Sequence, residues 1–168
     1  MNFLELVSGR CSVRAYEPRP VEKEKIEYIL ECARMAPSAC NKQPWKLYVI
    51  SGEKKKAFDK VYDKEWFAQA PVAIVVCADH DTSWKRPADG KDHADVDTSI
   101  IFDHLLLAAY EQGLSTCWIC NFDVPLCREL LQLPDNMEPV SMTPLGYGLG
   151  ATRPKSRKAK EEIIVSEQ

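Results

Sequence analysis

Apolar and polar positions divide the chain into short helical and extended stretches punctuated by Pro and Gly. From Val21 to Ala36, the residues Ile26, Ile29, Leu30 and Ala33 fall at helical spacing on one face, with Glu22, Lys23, Glu24 and Glu27 largely elsewhere. Pro37 ends this helix. Met1 to Gly9 predicts a short helix stopped by Gly9, Glu53 to Tyr62 a helix with a Lys-rich exposed face, and Pro125 to Leu131 another short helix. Trp45 to Ser51, Ser115 to Phe122 and Val140 to Leu145 predict strands. Pro71 to Ala78 is a continuous, β-branched run, as expected of a strand buried on both faces. Between Asp79 and Asp95 the chain is polar, contains Pro87 and Gly90, and predicts a loop.

The stretch from Asp97 to Gln112 predicts a helix of a different kind. From Ile100 to Tyr110 it is apolar almost all round, so it must be buried in a core or in a subunit interface, with Gly113 as its C-cap. After Gly150 the tail is basic, then acidic, then apolar at Ile163 to Val165, an ending that calls for a docking surface such as a partner subunit. Helices and strands alternate without strict βαβ order, which points to an α+β sandwich over one domain, residues 1–168. No repeat, linker or low-complexity tract interrupts it.

Composition narrows the picture. At 168 residues the chain can bury roughly 68–70% of its unfolded surface. Apolar residues make up 45% and charged residues 28%, a globular balance rather than a disordered one. A net charge of −3 argues against nucleic acid, whose phosphates demand a basic surplus. The run Ala70 to Ala78 is far too short for a membrane span, and Met1 to Arg10 is too short and charged for a signal peptide, so a cytoplasmic protein is expected. Seven cysteines, an odd number, then read as free thiols.

Two segments carry candidate chemistry. In Arg10-Cys11-Ser12-Val13-Arg14, two guanidiniums and a hydroxyl follow a helix end, and guanidinium forks suit phosphate. Taken alone, two Arg at this spacing usually mean an ordinary solvated surface. In Ala36-Pro37-Ser38-Ala39-Cys40-Asn41-Lys42-Gln43-Pro44-Trp45, small residues and amides lie between two prolines. A turn explains the composition but not Gln-Pro-Trp after Asn.

With these segments the chain resembles the nitroreductase family of FMN-dependent oxidoreductases. The likeness runs in order through Arg10 to Arg14, Ala36 to Trp45, Pro71 to Ala78, Leu105 to Leu114, Cys117 to Ile119, Pro144 to Tyr147 and Pro154-Lys155-Ser156-Arg157. It implies a nitroreductase-like sandwich with a central mixed, mainly antiparallel sheet flanked by helices. It also implies an intertwined homodimer, with a C-terminal tail (about 151–168) embracing the partner. The apolar helix would build the dimer core, and Ile163 to Val165 would add an edge strand to the partner's sheet. Two FMN sites would lie at the interface. Arg10, Ser12, Lys155 and Arg157 would hold the phosphate, with Cys11 beside them, and Arg14 would lie near the pyrimidine edge of the ring. Pro37, Ser38, Ala39 and Asn41 would reach the flavin from the other subunit, and the backbone of Trp118, Cys120 and Asn121 would face N5.

The activity so implied is ping-pong reduction of nitroaromatic, quinone or related acceptors by NAD(P)H. A guanidinium near N1 and O2 favours the reduced flavin, and no separate catalytic residue is required. The family often has a second Ser where Ala39 stands, and the short polar region after Asp79 leaves the acceptor open. Trp66, Phe67 and Trp84 are the candidates for a substrate pocket or lid. A non-catalytic or specialised FMN binder, serving storage or sensing, is the alternative, as is another flavin reaction such as reductive dehalogenation.

Rival motifs are weaker. Cys117-Trp118-Ile119-Cys120 lies in a predicted strand rather than at a helix start, and no second ligand pair accompanies it, so a buried inert pair is expected. His80, His93 and His104 are too scattered for a metal motif, and His104 reads as a hydrogen-bonded core or interface histidine. Gly146 to Gly150 leads into Thr152-Arg153-Pro154 rather than into a helix, unlike a dinucleotide fingerprint.

Overall fold

A computed structural model describes residues 1–150 and 155–165. In chain order the elements are α1 (Phe3–Gly9), α2 (Lys23–Arg34), β1 (Trp45–Ser51), α3 (Gly52–Phe58), α4 (Glu65–Gln69), β2 (Val72–Asp79), α5 (Ala94–Glu111), β3 (Ser115–Thr116), α6 (Val124–Leu131), β4 (Met137–Gly146) and α7 (Lys160–Ile163). Single 3-10 turns lie at Ala39–Asn41 and Asp59–Val61. None of the described helices is long and apolar enough to cross a membrane.

The four strands form one antiparallel sheet in the order β1-β2-β4-β3. Its central strand β2 is buried through Ala78, as a β-branched run demands. The two-residue period of a strand then splits its side chains between two cores. Val72, Ile74 and Val76 join Ile29 and Ala33 of α2 and Ile101, Phe102, Leu105 and Leu106 of α5. Ala73, Val75 and Cys77 join Phe58, Val61, Phe67, Cys127 and Met142 on the opposite face. The result is the expected α+β sandwich with helices on both faces.

Local chemistry sets the element ends. Asn2 and Glu5 form a reciprocal capping box at α1, with both hydrogen bonds at 2.9 Å. Asp123 caps α6 by accepting the Leu126 N–H at 2.9 Å. At the end of α5, Gly113 adopts φ +73°, and the Leu114 N–H reaches back to the Ala109 carbonyl at 2.9 Å. Gly9 lets α1 approach α5, since a Cβ there would lie 2.2 Å from the Tyr110 hydroxyl.

Several expectations need correction. The stretch Ser115 to Phe122 pairs as a strand only over Ser115–Thr116, with one further bridge from Ile119 to Met142. The Lys-rich helix is not wholly exposed along that face, because Lys55 is buried, with its ammonium bonded to Asp59 and, at 3.0 Å, to the Phe67 carbonyl. At the tail, Lys160–Ile163 form a helical turn in which Glu162 accepts the Ala159 N–H at 2.9 Å, and Ile164 and Val165 follow it without regular secondary structure. Residues 151–154 and 166–168 of the predicted embracing tail lie outside the described residues.

Candidate flavin-type site

The first candidate region begins where α1 ends. Arg10 is its C-cap and turns the chain into an extended segment that runs beside β3. There Ser12 bridges Thr116 in parallel, and the Val13 N–H donates to the Thr116 carbonyl at 2.9 Å. The tail returns to the same place, where the Lys155 ammonium donates to the Val7 carbonyl, one of the acceptors left free in the last turn of α1. Arg10, Lys155 and Arg157 thereby line one cleft of about 460 Å³, together with Val7, Ser8, Asp103 and Leu107.

This cleft is electrostatically unbalanced. It holds three cations and one carboxylate, and none of the three cations makes an ion pair among the described residues. Burial pulls the Lys155 ammonium below the usual lysine range, and the neighbouring positive charges of Arg10 and Arg157 add to the effect. A dianion among these groups would relieve the repulsion and accept several charge-assisted hydrogen bonds.

Ser12 and Arg14 are exposed further along the segment, while Cys11 and Val13 are half-buried. The Arg14 guanidinium sits 5.9 Å from the centre of the Trp66 ring, within cation–π range. Tyr16, which the sequence did not single out, anchors the segment; it is buried and donates its hydroxyl to the Val13 carbonyl at 2.9 Å.

The second region is the loop after α2. Pro37, Cys40 and Asn41 are exposed, and Ser38 and Ala39 are half-buried. Cys40, Asn41 and Gln43 all have positive φ, at 51°, 53° and 49°. Non-glycine residues there are strained by about 1–3 kcal/mol each and persist only where surrounding contacts enforce them. The Gln43 N–H donates to the Ser38 Oγ at 2.8 Å, and the Gln43 amide nitrogen to the Asn41 side-chain oxygen at 3.2 Å. From outside the loop, the buried Asp97 of α5 accepts the Ala39 N–H at 2.9 Å.

The third region follows β3. Ile119 exchanges two 2.9 Å backbone hydrogen bonds with Met142, which holds the segment to β4. Trp118 is half-buried, edge-on to Phe102 at 4.7 Å, and its indole N–H points to the Cys120 sulfur at 3.0 Å. Cys120 and Asn121 are exposed, so the C-x-x-C is not a buried pair. Cys117 is buried, and burial pushes its thiol up, with the nearby Arg14 and Ser12 only partly opposing this. That leaves it an unreactive thiol. Among the described residues no cluster of His, Cys, Asp and Glu could hold a metal ion.

The pocket candidates separate. Phe67 is fully buried in the second core, with the Lys55 ammonium 4.3 Å from its ring centre, so it cannot face a pocket. Packing, not exposure, claims this ring. Trp66 is half-buried beside Arg14. Trp84 packs within its own loop, 4.8 Å edge-on to His93. His104 is half-buried and lines a shallow hollow along α5 with Asp95, Val96, Ser99, Ile100 and Asp103.

Sequence reasoning missed Asp97 and Asp103. Asp103 carried a signal, as an acidic residue inside an apolar run. Asp97 carried none, because a carboxylate near a helix start is ordinary. Both sit on α5, and its rise places Asp103 and Leu107, which line the cation cleft, about 9 and 15 Å further along the axis than Asp97. The cleft and the loop therefore meet α5 at different points along its length.

Comparison with known proteins gives a consistent likeness. A family model described as the nitroreductase family matches residues 7–64 and 55–147. The crystal structure of a nitroreductase family protein from Clostridium difficile 630 superposes with a TM-score of 0.89 at 42% identity, covering 100% of this chain and 99% of that one. A protein of Archaeoglobus fulgidus, provisionally named an NADH dehydrogenase/NAD(P)H nitroreductase, is 35% identical over 86% of this chain and 84% of its own. The FMN reductase [NAD(P)H] of Bacillus subtilis is 27% identical over 95% of this chain and 71% of its own.

Proposed function

The chain belongs to the nitroreductase family, and from that premise we propose that it is an FMN-dependent oxidoreductase that uses NAD(P)H to reduce nitroaromatic, quinone or related acceptors. The observation that carries the cofactor is the cleft of Arg10, Lys155 and Arg157, whose positive charges lack ion-pair partners among the described residues. It fits a phosphate dianion in sign and in donor type. Bound there, the flavin supplies hydride acceptance from NAD(P)H and electron delivery to the acceptor in alternate half-reactions.

The chain's own residues bind and orient. Arg10, Ser12, Lys155 and Arg157 hold the phosphate, with the Lys155 ammonium already fixed to the Val7 carbonyl. Cys11 keeps the spacing between Arg10 and Ser12. Arg14 holds a positive charge at the ring edge, steadied by Trp66. Pro37, Ser38, Ala39 and Asn41, in a loop strained at Cys40, Asn41 and Gln43, present amides and a short side chain to the flavin. Trp118, Cys120 and Asn121 complete the wall near the reacting edge, and Trp66 and Trp84 border the acceptor.

We assign the working form to a homodimer in which the loop of one subunit faces the cation cleft of the other. The separation of cleft and loop along α5 supports this. So does unpartnered apolar surface: Phe3 and Leu4 are 71% and 72% exposed, and Val96 of α5 is 47% exposed. Steady-state oxidation of NADH or NADPH by the FMN-loaded protein, with a nitroaromatic and a quinone as alternative acceptors, tests the activity. Parallel-line kinetics and acceptor-dependent turnover are expected. Flavin uptake without turnover on any acceptor would leave a flavin-binding protein and overturn the enzymatic proposal.

A further inference from the structure

The loop 38–43 is held in its unusual shape by bonds that, among the described residues, run almost entirely within it. The Asn41 N–H donates to the Ser38 carbonyl at 3.0 Å, the Lys42 N–H to the Ala39 carbonyl at 3.1 Å, and the Gln43 N–H to the Ser38 Oγ at 2.8 Å. Such internal bonds move with the loop and do not fix where it points. At its end the Trp45 N–H of β1 donates to the Gln43 carbonyl at 2.9 Å, and the bond that ties the loop to an element distant in sequence is the Ala39 N–H to the Asp97 Oδ1, at 2.9 Å across 58 residues.

Asp97 is unusual in its own right. Its side chain is buried, with the residue 2% exposed, and its Oδ2 is buried without a hydrogen-bond partner among the described residues. A carboxylate so placed is expensive to bury, and groups of this kind are retained where they serve a site. Two local features make it tolerable. It lies in the first turn of α5, where the helix field favours negative charge, and Ala39 opens a 3-10 turn, so its N–H has no partner within that turn.

We propose that Asp97 is a positioning residue for the flavin loop. By taking the Ala39 N–H it sets where the left-handed residues Cys40 and Asn41 stand, and so sets the affinity of the chain for the flavin ring. The inference rests on the assignment of this loop to the flavin and adds a residue that does not itself touch the cofactor. It predicts a dependence on the ring rather than on the phosphate, since the phosphate cleft lies further along α5.

Titration of the apo full-length protein with FMN and with riboflavin, followed by flavin fluorescence, tests it alongside thermal melts. Asp97→Ala is expected to weaken both ligands about tenfold, the loss of one hydrogen bond to a charged acceptor. Asp97→Asn, which keeps an acceptor for the Ala39 N–H, is expected to restore both to within about threefold of wild type. Arg157→Ala, by contrast, weakens FMN and spares riboflavin. Where Asp97→Ala does not fold, Ala39→Pro removes the same bond from the other side and is expected to give the same loss. Equal flavin binding by wild type and Asp97→Ala would overturn the tie. So would equal losses in Asp97→Ala and Asp97→Asn that track their melting temperatures. A wild-type protein that binds neither flavin would overturn the cofactor assignment and the tie with it.

Discussion

Three positive side chains sharing one cleft repel one another, and the effect of deleting one depends on whether an anion sits among them. In the proposed site, Arg157→Ala lowers FMN affinity by about tenfold, the value of one charge-assisted hydrogen bond, and leaves riboflavin affinity unchanged. Isothermal titration with the two ligands checks this, and an equal loss for both would remove Arg157 from the phosphate. Phe67 tests the opposite kind of residue. Its ring is fully buried between the second core and the Lys55 ammonium. Phe67→Ala is therefore expected to cost about 3–5 kcal/mol in urea unfolding. Trp66→Ala, at a half-buried position, should cost less and act on the environment of Arg14. The sequence placed both aromatics in one guess because adjacent residues share composition. Only the packing of α4, a helix its pattern did not announce, sends one inward and leaves the other beside Arg14.

Elements were legible where one periodicity dominated. The β-branched run of β2, the apolar helix α5 and its glycine stop, and Trp45–Ser51 all follow from pattern and turn chemistry. Ser115 to Phe122 did not, because backbone pairing with β4 is interrupted after Thr116 and resumes only at Ile119, which no side-chain pattern reports. The polar loop after β2 was likewise read as mere polarity. It is held by His80, whose Nδ1 lies 3.0 Å from Asp92 and whose Nε2 lies 2.9 Å from Glu138. The hydrogen bond with Asp92 raises the imidazole above its usual range, burial opposes this, and Glu138 adds to the rise. For Asp92, burial pushes upward but hydrogen bonds from His80, Ser83 and the Ala94 N–H outweigh it and hold the carboxyl at about 2. A raised histidine contributes fully below its unfolded pKa of about 6.5 and loses its contribution as pH rises through the folded value. The depressed Asp92 contributes above about 3.9 and loses it as pH falls through the folded value. The clamp is therefore strongest between about pH 4 and 6.5, and its partial exposure keeps the effect small. Melting temperatures from pH 5 to 9 should decline more in wild type than in His80→Gln; parallel curves would contradict the clamp. Gly113→Ala, at φ +73°, should cost about 1–2 kcal/mol by chemical denaturation, since open space around it leaves only the backbone penalty.

At the scale of the molecule, the sandwich and the family were legible from ordered motifs, while the completeness of the site was not. Motifs along a sequence do not say whether Arg10 and Asn41 meet within one chain. The structure places their anchors at different points along α5, beside apolar surface on α1 and α5 that no described residue covers. Light scattering is expected to give twice the chain mass of 19.1 kDa, and a monomer that nonetheless binds flavin tightly would contradict the shared site. Flavin binding and reduction are read together in the visible spectrum of the protein titrated with FMN and then treated anaerobically with NADH or NADPH. About one FMN should bind per chain, and the nucleotide should bleach the flavin band. A protein that stays colourless at saturating FMN, or whose bound flavin neither nucleotide reduces, would contradict the proposed FMN-dependent activity.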